Sequence, residues 1–280
     1  MLNQKLGVFV CLFLLLSPTL SQSAGFPSEI KLMTWNVLND SDLNKTRGQS
    51  VLSVLSKAQV DILILQEVNL PFVQTLKNDH RFSEYRVYSH QQGNDIAGGL
   101  TILSRIPLKT TKRYEQLPSM MGRGLLYLML ENEEKFLCIA NVHLESMIDD
   151  TAIRIRQLNS IFDHLSFCDD IILAGDFNFG KEETEESIFS DNYQDTWLQL
   201  KPNKKGLTYN REINELSDDN AFWFEKSRRL DRIYVSSNCL NANHIELMGN
   251  QPDKNENMPS DHFAVLATFF HSAHCIMSKD

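Results

Sequence analysis

A mixed α/β domain built from packed layers is what this 280-residue sequence predicts, on three observations. Short apolar runs of strand length recur along the chain, amphipathic helical patterns lie between them, and no glycine-serine or proline-rich linker divides it. With 42% hydrophobic residues the chain can bury a sizeable core, so one folded domain over residues 25–280 is expected.

The first 24 residues stand apart. Met1 to Lys5 precede an apolar stretch from Leu6 to Leu16, then Ser17-Pro18 and the small-residue segment Ser21 to Ala24, the layout of a secretory signal peptide over residues 1–24. The apolar run is shorter than the roughly 20 residues that span a bilayer. An exported protein with no stable membrane anchor after cleavage is therefore expected. The alternative is an uncleaved N-terminal anchor, because Gln22 makes the cleavage segment imperfect. No cysteine closely follows the apolar run, which disfavours a lipid anchor.

Strands are predicted at Ile30 to Val37, Asp61 to Leu65, Gly99 to Leu103, Leu125 to Leu130, Phe136 to Val142, Ile171 to Ala174, Leu230 to Val235 and Phe263 to Phe270. Several are continuously apolar, so their sheet should be covered on both faces. A helix over Gln49 to Ala58 presents Val51, Leu52, Val54, Leu55 and Ala58 on one broad face. Another starts near Pro71 with Phe72, Val73 and Leu76 inward. A third, capped by Asp149 or Asp150, should bury Ile155, Leu158, Ile161, Phe162 and Leu165. The acidic run Glu182, Glu183, Glu185 and Glu186 reads as the solvated face of a short helix.

The formal net charge is -9, and loss of Lys5 with the leader makes it one unit more negative. Net charge would not draw in a polyanion, so any nucleic-acid contact needs a local basic surface or bound metal. Lys201, Lys204, Lys205, Arg211, Lys226, Arg228 and Arg229 are the candidates, with solvated loop charges as the competing reading. Outside the leader, Cys138, Cys168, Cys239 and Cys275 allow three complete disulfide pairings, and sequence does not choose among them. Cys138 lies within a predicted strand and reads as a small buried hydrophobe. No C-x-x-C spacing supports zinc.

Strand ends carry the chemistry. Thr34-Trp35-Asn36, Gln66-Glu67, His143-Leu144-Glu145-Ser146, Gly175-Asp176-Phe177-Asn178, Leu230-Asp231-Arg232-Ile233 and Ser260-Asp261-His262 each place polar groups where a buried strand meets solvent. Singly, each has a turn or hydrogen-bonding explanation. Among them, the carboxylate of Asp176, the carboxamide of Asn178 and the Asp261-His262 pair suit the positioning of a divalent metal, an attacking water and a phosphate oxygen, hence phosphoester hydrolysis.

In this order the six words resemble the endonuclease/exonuclease/phosphatase superfamily, which includes deoxyribonuclease I and exonuclease III. The resemblance implies a four-layer αββα sandwich, two mixed central sheets flanked by helices, with the site at one end. It implies that Glu67 binds Mg²⁺ (or Mn²⁺) directly, with Asn36 and Asp261 near the metal, as a hard oxygen set suggests. Asp176 would orient or deprotonate the attacking water, and Asn178 would hold that water and a phosphate oxygen. His262, oriented by Asp231, would stabilise the charged phosphorus centre, and His143 would contact the phosphate from another side. Either Asp176 or a neutral His262 can be written as the base.

Within the superfamily, His143 to Ser146, Gln157-Leu158, Pro118-Ser119-Met120 and Met258 to His262 look like the 5′-tyrosyl-DNA phosphodiesterase branch. Thr208-Tyr209-Asn210 resembles that branch's T-W-D, with Asn214 in a similar later place. Phe179-Gly180-Lys181 departs from its leucine-arginine, and Tyr209 replaces its tryptophan. The expectation is an exported, monomeric, Mg²⁺-dependent phosphodiesterase acting on nucleic acid. A phospholipid phosphodiesterase or phosphatase is the alternative, and a catalytically inactive binding module is disfavoured because Glu67, Asp176, Asn178, Asp231, Asp261 and His262 all remain. Phe222, Trp223 and Phe224 read first as core packing, with base stacking as the competing role.

Overall fold

The computed structural model describes residues 25–91, 98–132 and 135–272; the predicted leader and Cys275 lie outside them. The predicted strands form as β1 (Glu29–Asn36), β2 (Ile62–Val68), β4 (Gly99–Ser104), β6 (Gly124–Asn132), β7 (Lys135–His143), β8 (Asp170–Asp176), β10 (Asp231–Ser236) and β12 (Ala264–His271). Four more strands have no counterpart in the sequence reading: β3 (Arg86–Gln91), β5 (Lys109–Gln116), β9 (Gln194–Asp195) and β11 (Leu240–Met248). The first sheet runs β11-β12-β1-β2-β4-β3 and the second β5-β6-β7-β8-β10-β9, so these four are the edges of the two sheets. An edge strand is only partly covered and needs no continuous apolar run, and Lys109 to Gln116 shows this in its half-exposed, polar composition.

Both sheets are mixed. β1 is parallel to β2 and antiparallel to β12, while β7 is parallel to β8, which is antiparallel to β10. Alternation assigns each strand's residues to two apolar layers. Ile30, Leu32, Ile64, Ile102, Leu128, Ile139, Ile172 and Val265 fill the space between the sheets. On the outer face of the first sheet, Met33, Trp35, Leu63 and Leu65 pack under α1 (Thr46–Ala58) and α2 (Leu70–Asn78), which contribute Val51, Leu52, Leu55, Phe72, Val73 and Leu76. On the outer face of the second, Ala140, Val142 and Leu173 pack under Leu158, Ile161 and Leu165 of α3 (Thr151–Leu165). The result is the four-layer αββα sandwich. Two short helices, α4 (Thr196–Leu200) and α5 (Glu215–Asn220), lie on the connections leading back into β10.

Toward one end, the layer between the sheets turns polar. The Gln66 carboxamide donates to Thr34 Oγ1 (3.1 Å) and Asn141 Oδ1 (2.8 Å), and Asn141 Nδ2 donates to the carbonyls of Leu65 (2.9 Å) and Thr101 (3.1 Å). These buried amides bond one sheet to the other directly beneath the strand ends that carry the motifs, and of their four polar atoms Gln66 Oε1 alone has no partner.

Two sequence expectations change here. The acidic run is not wholly solvated: Glu185, on a 3-10 turn (Thr184–Ile188), is fully buried and accepts from Arg154 Nε at 2.7 Å, while Glu186 meets Arg232 at 2.7 Å. The strand position that reads as a plain hydrophobe, Cys138, is buried but disulfide-bonded to Cys168, closing a sequence separation of 30, and Cys239 is disulfide-bonded as well. The first bridge ties β7 to the segment after α3. Reduction is expected to cost roughly 2–4 kcal/mol through the loop entropy regained by the unfolded chain. Thermal unfolding of Cys138→Ser/Cys168→Ser measures it, and the double variant should still respond to reductant through the bridge of Cys239, by less than the parent does.

Candidate active site

Each site residue sits where a strand stops, and the register explains the arrangement. Asp176 at the end of β8 is paired with His143 of parallel β7 on one side and Asp231 of antiparallel β10 on the other. Asn36 at the end of β1 pairs with Gln66, one residue before Glu67. Asp261 and His262 lie just ahead of β12, with Phe263 between. Two glycines permit the close packing. Gly175 adopts φ 146°, and a Cβ there would lie 2.0 Å from the Val142 carbonyl oxygen. Gly98, at φ 63°, packs against Glu67, itself at φ 61° in a β-bulge, and a Cβ would come within 2.6 Å of the Glu67 backbone.

The structure brings together all eight predicted residues. The Asn36 carboxamide joins the two sheets, donating to Glu67 Oε1 and to Asp176 Oδ2, both at 3.0 Å. Asn39 N donates to Glu67 Oε2 (2.8 Å) and Asn178 N to Asp176 Oδ1 (3.0 Å). Asn178, at φ 55°, donates through Nδ2 to the Leu144 carbonyl (3.0 Å) and Ser146 Oγ (3.4 Å). Asp231 Oδ2 lies 2.7 Å from His262 Nδ1, and the His262 carbonyl accepts from Trp35 Nε1 at 2.9 Å. Both histidines turn Nε2 toward Asp176 Oδ2, His143 at 3.5 Å and His262 at 3.9 Å.

These two histidines are held in opposite states. Burial opposes charge on His262, but the carboxylates of Asp231, Asp176 and Asp261 outweigh it and hold the imidazole well above its ordinary pKa, as a cation. Burial, followed by the charges of Arg123 and His262, pushes His143 well below its ordinary value. Arg123 Nη1 lies 2.9 Å from His143 Nδ1 and Nη2 donates to Ser146 Oγ at 2.6 Å. A guanidinium is donor-only, so Nδ1 must accept and the ring proton of neutral His143 resides on Nε2, facing the cleft.

The carboxylates report a site built for a cation. Glu67 is raised by burial and by the charge of Asp261. Asp176 is raised by burial, partly offset by His262. Asp261 is likewise raised by burial against the lowering pull of His262. Asp176, Asp231 and His262 also present atoms within 4.8 Å of one another, but Asp231 is committed to a protonated imidazole, an unsuitable metal ligand. The hard oxygen set of Glu67 and Asp261, with Asn36 between Glu67 and Asp176, fits a divalent cation better.

Sequence reasoning missed Arg47 and Arg123, and gave Glu145 no role within its motif. Arg47 is buried and donates to the carbonyls of Val37 and Pro259 (both 2.7 Å), so it clasps the end of β1 to the segment leading into Asp261. Buried Glu145 accepts from Ser119 Oγ (2.7 Å) and from the amides of Met120 and Met121 (both 2.9 Å), shaping the loop that delivers Arg123. Arg123 itself lies just before the apolar strand β6, the one cue the sequence offers. Replacing Arg123 with glutamine is expected to lower kcat roughly 10–100-fold, the scale of losing an outer-shell partner. Lysine should rescue part of it; equal kcat in both variants and the parent would remove Arg123 from the site's working parts.

Other predicted residues have different fates. Arg211, Arg228 and Arg229 are paired with Asp218, Glu225 and Asp195, so they are not a free basic surface. Lys201, Lys204 and Lys205 line a separate cavity of about 640 Å³ with Trp197 and Phe263. Tyr209 is buried, its ring 5.2 Å from that of His262, and forms part of the wall. Asn214 caps α5 and donates to the Ser260 carbonyl at 2.9 Å. Phe222, Trp223 and Phe224 do not pack into the core: all three are exposed.

Comparison with known proteins agrees with this geometry. The sequence model described as Endonuclease/Exonuclease/phosphatase family matches residues 33–262. The chain is 28% identical over 250 residues to tyrosyl-DNA phosphodiesterase 2 of Mus musculus, covering 86% of this chain and 66% of that protein. It thus spans about two thirds of that relative's length. It is 29% identical over 254 residues to the 5′-tyrosyl-DNA phosphodiesterase of Caenorhabditis briggsae, covering 86% and 69%. Among solved structures, D. rerio TDP2 complexed with a single-strand DNA product superposes with a TM-score of 0.72 at 24% identity, covering 87% of this chain and 99% of that one. TDP2 from C. elegans gives 0.69 at 25% identity, covering 86% and 75%.

Proposed function

Because this chain belongs to the endonuclease/exonuclease/phosphatase family, we propose that it is an exported, Mg²⁺-dependent phosphodiesterase that cuts nucleic acid. The observation that carries the reading is the carboxylate of Asp176, faced by a neutral N–H of His143 and by the Asp231-held cation of His262. The relatives named for action on tyrosyl-DNA supply the substrate class. Mg²⁺ suits the oxygen donors of Glu67 and Asp261, where it would act as a Lewis acid on phosphoryl oxygens.

The chain's own residues account for the rest. Asp176 takes the proton of the attacking water, because burial raises its basicity and cationic His262 has no free pair to offer. Asn178 positions that water and a phosphate oxygen. His143 and His262 donate through Nε2 to the non-bridging oxygens as negative charge builds on them. Asn36 fixes Glu67 and Asp176 at a set separation, so the metal side and the water side stay aligned. One chain supplies every residue, which supports a monomer, and the signal-like leader with the Cys138–Cys168 bridge supports export.

The test incubates mature protein with plasmid, single-stranded DNA, RNA, a 5′-tyrosyl oligonucleotide, phosphoinositides and sphingomyelin, with and without chelator. Chelator-sensitive cleavage of a nucleic acid is expected. Hydrolysis of lipid alone would overturn the substrate, and hydrolysis indifferent to chelator would remove the metal.

A further inference from the structure

Beside the active site, the loop after α5 holds three rings in water: Phe222 is 51%, Trp223 89% and Phe224 53% exposed. The loop is braced. Arg211 donates through Nη1 to the carbonyls of Phe222 (3.3 Å) and Glu225, while its Nε donates to Asp218 (2.8 Å). Phe222 and Phe224 stack with centroids 5.6 Å apart and planes 9° from parallel, and Trp223 stands edge-on to Phe224 at 5.4 Å and 86°. A fixed aromatic tip exposed to this degree marks a contact surface.

Its position relates it to the site. Asn220, the last residue of α5, donates through Nδ2 to Asp261 Oδ2 at 3.1 Å. Three further residues span at most about 11 Å, so Trp223 is tethered close to the metal-side carboxylate. Charge narrows the occupant. Arg211, Arg228, Arg229 and Arg232 are each paired with a carboxylate, Asp218 and Glu225 among them, which leaves exposed Asp219 and Lys226 as one charge of each sign beside the rings. This lobe therefore offers little to a phosphate backbone or an anionic bilayer. It offers π faces, and every base has one.

We propose that Trp223, buttressed by Phe224 and Phe222, is the stacking platform for an unpaired nucleobase next to the phosphate being cut. The inference rests on the nucleic-acid reading above and adds its specificity: single-stranded or splayed substrate, gripped by its base.

The experiment compares the full chain with Trp223→Ala and Trp223→Phe on a single-stranded oligonucleotide and on its twin carrying an abasic residue beside the cut. Trp223→Ala should raise KM roughly 10-fold or more on the intact oligonucleotide. It should leave kcat near that of the parent, Phe should restore much of the difference, and the abasic twin should erase it. Fluorescence gives a second readout, since of the three tryptophans Trp35 is fully buried and Trp197 is 6% exposed. Oligonucleotide added in chelator should quench the parent and not Trp223→Ala. Unchanged KM in a Trp223→Ala protein that still cuts would overturn the platform and spare the function. Fluorescence that responds to phosphatidylcholine vesicles and not to oligonucleotide would assign the tip to a membrane. No cleavage of any nucleic acid by the parent would overturn both.

Discussion

Asp176→Asn is expected to reduce turnover by roughly 10²–10⁴-fold, the range for loss of a positioned general base. The replacement is nearly isosteric, but an amide cannot take a proton from water. It also replaces with NH2 one of the two oxygens that accept from Asn36 Nδ2 and Asn178 N, so one of those hydrogen bonds is lost. The fold should survive in the metal-free protein, because removing a charge that burial and Asp231 both disfavour offsets the lost bond. The linkage sign agrees. A carboxyl whose folded pKa is raised binds its proton more tightly folded than unfolded, so stability falls as pH rises between the ordinary and the raised value. Unchanged turnover with a raised melting temperature would show that Asp176 carries strain without catalysis.

The second large effect is expected at His262. Alanine should lower kcat roughly 10²–10⁴-fold while half-saturation by Mg²⁺ changes little, because the two ring nitrogens are turned to Asp176 and Asp231. Asp231→Asn should act through the same ring. Without the carboxylate at 2.7 Å, the strongest of the charges that hold the imidazole protonated is gone, and it loses its proton at lower pH than in the parent. Since a raised histidine pKa means the charge is present below it and lost above, the parent should fail on the alkaline side. Asp231→Asn should move that limb to lower pH and recover activity on acidification. A limb that stays in place would separate the histidine's charge from the reaction. Collapse of Mg²⁺ affinity in His262→Ala at unchanged saturated rate would make it a metal ligand.

What the sequence made legible follows from burial. The eight inner strands are covered on both faces, so they announce themselves as apolar runs. The four edge strands are polar because half of each faces solvent. The site residues were readable because a polar group abutting such a run is conspicuous. Their supports were not: Arg47 and Arg123 look like ordinary surface charges until backbone carbonyls and an imidazole are folded around them, and Glu145 stands in its motif without a role until a loop closes on it. Glu185 and Cys138 mislead for a related reason, since each depends on a partner distant in sequence, Arg154 and Cys168. Tyr209 became interpretable only as wall, behind His262.

The amide contacts of Gln66 and Asn141 beneath the strand ends give the site an unusual dependence. Asn36, Glu67 and, ahead of β12, Asp261 and His262 are carried by one sheet, and His143, Asp176, Asp231 and, after β8, Asn178 by the other. Neither sheet owns a working half: the Asn36–Asp176 and Asp231–His262 bonds both cross the seam. Hydrolysis by this protein is thus a property of docking, silenced by a slip between two intact sheets that a measurement of secondary structure would pass over.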